Sequence, residues 1–247
     1  MKGHLESFVK KGEQEDLHRF RTGVKKLRAF FILADSAAKE PTLEQHFKPV
    51  RKVFKQAGEI RNAYINQELG KAQPGDSASL IRDQWLLMKR ATKIFNARRG
   101  QHLARLRKTR RKLNKRIVSV SNLRISLYYQ QQLEATAAIL ARNRFDEELH
   151  ACRKQLKILI YNYQLVRSKL DLPFNADYLE KVQTAIGDWH DNQLAIVLFS
   201  KAETENREAL SSLKKQRTRL KRALTRLTKN FQEQATTVTA LPLEQID

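Results

Sequence analysis

The chain has 247 residues and carries 48 Lys and Arg against 26 Asp and Glu, a formal net charge of +22. With 41% hydrophobic residues it can bury a core in one or two domains, which excludes a disordered tail or a small disulfide-stapled scaffold. The charge excess exceeds what solubility requires and points to a polyanionic partner.

The excess is localised. No acidic residue occurs from Gln84 to Leu133, which holds 14 Lys and Arg, or from Ala209 to Gln232, which holds 8. These two segments account for the whole excess, so the rest of the chain is electrically balanced. A single cysteine, Cys152, cannot form an internal disulfide, and the stretch MKGHLESFVKKGEQED lacks the apolar core of a signal peptide. The longest dense apolar run, Leu194 to Phe199, is far shorter than the roughly 20 residues of a membrane span. A soluble, cytoplasmic protein is expected.

The predicted elements are all helical. From Glu13 to Lys39, Leu17, Phe20, Val24, Leu27, Phe31 and Ala34 recur every three or four positions, with Glu13, Glu15 and Asp16 at the favourable end of the helix dipole. Gly23 lies inside this helix, where it is either tolerated at a cost or admits a close neighbour. Pro41 closes the segment. Helices are then expected over 42–56, with Pro49 a candidate interruption, and over 58–70, followed by the loop KAQPGDSAS. A long basic helix runs from Leu80 to about Val120 with a break near Arg99 and Gly100. A linking helix over 123–141 leads to helices over 145–170, 175–186, 187–202 and 205–234, and residues 235–247 read as a tail.

The chain repeats itself. LHRFRTGVKKLRAF, from Leu17, matches LHACRKQLKILIYN, from Leu149, with His18, Arg21 and Lys25 meeting His150, Arg153 and Lys157 at an offset of 132. AGEIRNAYI, from Ala57, matches IGDWHDNQL, from Ile186, pairing Gly58 with Gly187 at an offset of 129. Leu103, Leu106, Leu113, Ile117 and Val120 share the spacing of Leu210, Leu213, Leu220, Leu224 and Leu227, which leaves about 22 extra residues in the first half within 73–94. The expected domains are a first helical half over 13–141, including the linking helix, and a second over 145–234.

At about 100° per residue, His18, Arg21, Lys25 and Arg28 share roughly one quadrant of their helix, and His150, Arg153, Lys154 and Lys157 do the same, with Tyr161 beside them. A line of cations about three turns long suits a linear polyanion, since guanidinium groups grip phosphate oxygens bidentately and ammonium groups act as point charges. A lone helical histidine more often satisfies a neighbouring backbone or carboxylate group; recurrence with the same cations reverses that preference. Arg107, Arg110, Lys214, Arg217 and Lys221 border the apolar stripes of the two basic helices, whereas Lys108, Lys112, Lys215 and Arg219 point elsewhere.

The two His-led phrases, the paired G-x-x-[RH]-[DN] elements and the duplicated helical plan resemble the CHAD family, the conserved histidine α-helical domains, from about Glu13 to Gln234. The matching residues are His18, Arg21, Lys25, Lys26, Leu27 and Arg28, then His150, Arg153, Lys154, Leu156, Lys157 and Tyr161, with Gly187, His190 and Asp191 in the later element. The sequence departs from the family pattern at Ile160, where arginine is common, and at Arg61-Asn62, where Arg-Asp is usual. The resemblance implies an all-α fold of two antiparallel helical bundles related by a pseudo-twofold axis, with a basic central channel that binds inorganic polyphosphate. It also implies no catalysis and a location at polyphosphate granules.

Two rivals remain. Counterion release rewards binding to RNA or DNA as well, so nucleic acid is at least a non-specific competitor, although no helix-turn-helix, RRM or zinc-finger pattern is present. Trp85 and Trp189 sit in apolar helical settings and read as core rather than as stacking platforms. A metal-dependent phosphohydrolase is suggested only by His190-Asp191, with no second histidine at ligand spacing, and Cys152 and His150 are too close in sequence to face one another. No cofactor or metal is expected: there is no P-loop and no GxGxxG.

Overall fold

The computed structural model describes residues 1–38, 41–72, 77–116, 120–200 and 207–237. Ile117 of the first basic stripe, the centre of the loop at 71–79 and most of the tail lie outside the described residues. The helices are α1 (Lys2–Lys11), α2 (Gln14–Ser36), α3 (Leu43–Ala72), α4 (Ala78–Ala97), α5 (Arg99–Asn114), α6 (Asn122–Ala141), α7 (Glu147–Val166), α8 (Ala176–Phe199), α9 (Arg207–Leu227) and α10 (Phe231–Thr236). The fold is all-α, and no strand occurs among the described residues.

Several boundaries differ from expectation. The two helices expected over 42–56 and 58–70 are one helix, Leu43–Ala72, with Pro49 inside it, because Phe47, Val50, Val53, Ala57 and Ile60 bury one continuous stripe whose packing outweighs the lost backbone bond. Gly187 likewise does not interrupt α8. The break in the basic region falls at Arg98 (φ −97°, ψ 12°), between α4 and α5, and Gly100 lies inside α5. Helix α1 has no counterpart in the sequence reading; it buries Leu5 and Phe8 and ends at Gly12, whose φ of 78° suits glycine.

Packing divides the chain into two units: Met1–Ser119 with Asp191–Thr218, and Val120–His190 with Arg219–Asp247. In the first, Phe31 meets Phe47 edge-on at 5.2 Å and Phe8 meets Phe95 at 6.0 Å. The α2–α3 turn is held by Asp35, whose carboxylate accepts from the backbone N–H groups of Thr42 (3.1 Å), Leu43 (2.9 Å) and Glu44 (2.8 Å), the otherwise unsatisfied donors at a helix start. Gly70 allows α4 to approach α3 closely, since a Cβ there would lie 2.9 Å from Ile81 Cγ1. The ends of α8 and α9 add a cluster of Ala195, Ile196, Phe199, Ala209, Leu210 and Leu213.

In the second unit Asp146 caps α7 by accepting from Glu148 N at 3.0 Å. Buried Tyr129 donates to the Leu159 carbonyl at 2.8 Å and packs on Phe174, and Tyr178 donates to the Leu227 carbonyl at 3.0 Å. Each aromatic thus fills volume while its hydroxyl finds a backbone acceptor.

Trp189 is core at 4% exposure, but Trp85 is 39% exposed, with Lys89 Nζ 3.9 Å from its ring centroid. The apolar spacing of α4 that suggested burial of Trp85 is satisfied instead by Phe95, the buried residue of that helix.

Gly23 in α2 meets only Met1, with Cβ and Cγ 3.7 Å from an added Cβ, which is ordinary contact. Gly23→Ala should therefore stabilise the protein by about 1 kcal/mol, the helix-propensity difference. The check is thermal unfolding, with an expected rise of a few degrees; a fall would show that α2 needs the glycine.

Candidate functional site

The first cationic strip lies on α2, packed against α3. Half-buried Arg21 donates from Nη1 to the Phe54 carbonyl at 2.9 Å, and its guanidinium carbon sits 4.3 Å from the centroid of the Phe54 ring. Burial, then the neighbouring Arg61, hold the Arg21 pKa below its ordinary value, yet a guanidinium remains charged at any physiological pH. His18 is lowered by burial first and then by Arg61, with Glu15 opposing and Lys25 and Arg21 adding to the shift. Cations outnumber carboxylates around this histidine.

Arg28, the last residue of the strip, is joined to Glu44 through Nε (2.9 Å) and Nη2 (2.7 Å), and Arg51 meets the same carboxylate at 3.2 Å. Its charge is thus met within the protein, in an ion pair linking α2 to the start of α3.

The second strip repeats the first on α7 and α8. Arg153 Nε donates to the Gln183 carbonyl at 3.2 Å. The ring of His150 stacks on that of His190, centroids 3.7 Å apart and 18° from parallel. Burial, followed by His190 and Lys154, pushes the His150 pKa down to about 4, so this imidazole is neutral at pH 7. Lys154 is exposed, and Lys157 Nζ lies 5.9 Å from the Tyr161 ring centroid. Burial raises the Tyr161 hydroxyl pKa. His150 therefore titrates in the acid range and near pH 7 offers a neutral N–H donor, and His18 is shifted in the same direction.

The positions that face the strips are in register. Phe54 and Gln183, Gly58 and Gly187, and Arg61 and His190 are all separated by 129 residues, the offset of the second repeated phrase. The carbonyls and the partners of the two histidines were not identified from sequence as part of the site. That constant offset was the signal that could have found them.

The basic helices contribute differently. Arg107 and Arg110 are exposed on α5, whose buried stripe is His102, Leu106, Thr109 and Leu113. On α9, Lys214 is exposed, while half-buried Arg217 places Nη1 3.5 Å from Gln193 Oε1 and half-buried Lys221 places Nζ 4.7 Å from the Phe145 ring centroid. Cys152 is buried, and burial raises its pKa to about 12, which leaves an inert thiol. Among the described residues no group of three or more His, Cys, Asp or Glu could hold a metal ion, and no helix is long and apolar enough to cross a membrane.

The family model for the CHAD domain matches residues 1–200. The chain belongs to the CHAD family. CHAD domains are known for binding polyphosphate. Both cationic strips of this CHAD chain lie inside the matched residues, whereas Lys214, Arg217 and Lys221 lie beyond them. No curated protein and no solved structure matches the chain.

Proposed function

We propose that this chain binds inorganic polyphosphate without catalysing its turnover, and that such binding carries it to polyphosphate granules. One observation carries the reading. In each of two helix pairs an arginine is anchored to the facing backbone beside a histidine, and the groups around that histidine are mainly cations. Like charges held together in this way repel until an anion arrives, so a phosphate chain gains both their attraction and the relief of their repulsion. Lys25 on α2 with Arg61 facing it from α3, and Lys154 and Lys157 on α7, extend each cluster, as a linear polymer requires. Arg107 and Arg110 on α5 and Lys214, Arg217 and Lys221 on α9 add to the field. Arg28, already paired with Glu44, contributes least.

The test is competition for labelled long-chain polyphosphate by unlabelled polyphosphate, single-stranded RNA and duplex DNA, at about 150 mM salt, where weak surface attraction is screened. Displacement by polyphosphate alone at low concentration is expected. Equal displacement per phosphate by RNA would make the chain a general polyanion binder and overturn the assignment.

A further inference from the structure

Arg21 and Arg153 cross to the next helix by the same route. Each guanidinium donates to a backbone carbonyl, that of Phe54 on α3 or Gln183 on α8, and four residues after each carbonyl stands a buried glycine, Gly58 or Gly187. In an α-helix the Cα–Cβ bond leans toward the N-terminus, so a side chain covers the turn before its own Cα. A Cβ at 58 would stand 2.6 Å from Arg21 Nη1. A Cβ at 187 would lie 2.5 Å from Arg153 Nη2, 2.7 Å from Nε and 2.8 Å from Cζ. Cβ atoms essentially never approach other heavy atoms within 3.0 Å, so a side chain at either position would force the guanidinium, the far end of a flexible side chain, off its carbonyl. Gly3, Gly23 and Gly100, also within helices, have no such neighbour.

We infer that Gly58 and Gly187 are positioning residues of the polyanion site, each forming a seat that fixes one arginine before the ligand arrives. The inference rests on the polyphosphate reading for the purpose of the seats. A guanidinium has five N–H donors and the carbonyl occupies one, so an anchored arginine can still engage phosphate. Gripping an anion ordinarily costs a long side chain its rotamer freedom; a seated arginine has already given that up on folding, so its attraction for the ligand is less offset. The seat also explains why glycine, a poor helix former, stands in the middle of two helices that run on without a break.

The test is a double-mutant cycle in each half, read by polyphosphate affinity and by Tm. Gly58→Ala alone should weaken binding roughly tenfold although no charge is lost, and on an Arg21→Gln background it should weaken it no further. Tm should fall with Gly58→Ala alone but rise when it is added to Arg21→Gln, because alanine is the better helix former once the guanidinium has gone. The Gly187 and Arg153 pair should behave alike and reads the same coupling independently if Gly58→Ala does not fold. Additive losses in affinity, or Gly→Ala variants that bind as the wild type does, would overturn the inference. A sign inversion in Tm with affinity unchanged would reduce the seats to packing devices and overturn their positioning role. A wild-type protein without polyphosphate affinity overturns the functional reading itself, a result the competition experiment registers before any variant is made.

Discussion

With Lys25, Lys154 and Lys157 exchanged together for Gln and both arginine seats left intact, affinity for long-chain polyphosphate should fall about a thousandfold at 150 mM salt. Each charge-assisted contact to a phosphate oxygen is worth on the order of a factor of ten, and the three lysines extend the strips along one helix in each half. The slope of log affinity against log salt should also flatten by about two, since roughly 0.7 counterion is released per neutralised phosphate on a single-stranded polyanion. Far-UV circular dichroism and Tm check that the variant keeps its fold. A triple variant that stays folded and binds as the wild type does would remove the three lysines from the site and leave the seated arginines, α5 and α9 to account for any binding.

Acid should destabilise the protein between about pH 6.5 and pH 4 through His150. Its folded pKa, near 4, lies below the ordinary histidine value of 6.5, because the ring is buried against His190 and has Lys154 and Arg153 nearby, with Glu147 only partly offsetting them. The unfolded chain therefore takes up a proton that the folded chain declines. Stability is complete above pH 6.5, is lost as the pH falls toward 4, and levels off below it. After allowance for solvent screening the loss is about 1–2 kcal/mol. His18 and His102, also lowered chiefly by burial, add in the same direction. His150→Phe keeps a ring against His190 but removes the titration, so Tm in that variant should vary less with pH over this window than in the wild type. An unchanged pH profile would show that His150 does not report on folding, and that the remaining histidines and the carboxylates govern the acid limb.

Much of the site can be read from residue order because it is periodic. The strip from His18 to Arg28 and its copy from His150 to Lys157 need only helical geometry and the recurrence of one phrase, and the acid-free segments need only counting. The same reasoning explains the errors. Pro49, Gly58 and Gly187 carry strong local signals for helix breaks, and each lies inside a continuous helix because neighbouring apolar residues bury a stripe worth more than the local penalty. Trp85 has an apolar helical setting in the sequence, yet is held at the surface beneath Lys89.

The sequence by itself determined the all-α class, the placement of the cationic excess and the pairing of the two His-led phrases, since each depends on spacing along one helix or on composition. Only the tertiary structure decided which cations are already engaged. Arg28 turns to Glu44, Arg21 and Arg153 turn to backbone carbonyls, and His150 is drawn under His190 and made neutral. It also grouped Asp191–Thr218 with the helices of the first 119 residues. The physical reason is common to all of these. A helical pattern states which side a residue faces, but the group waiting on that side belongs to another helix, and its distance sets whether a charge is spent within the protein or offered to a ligand.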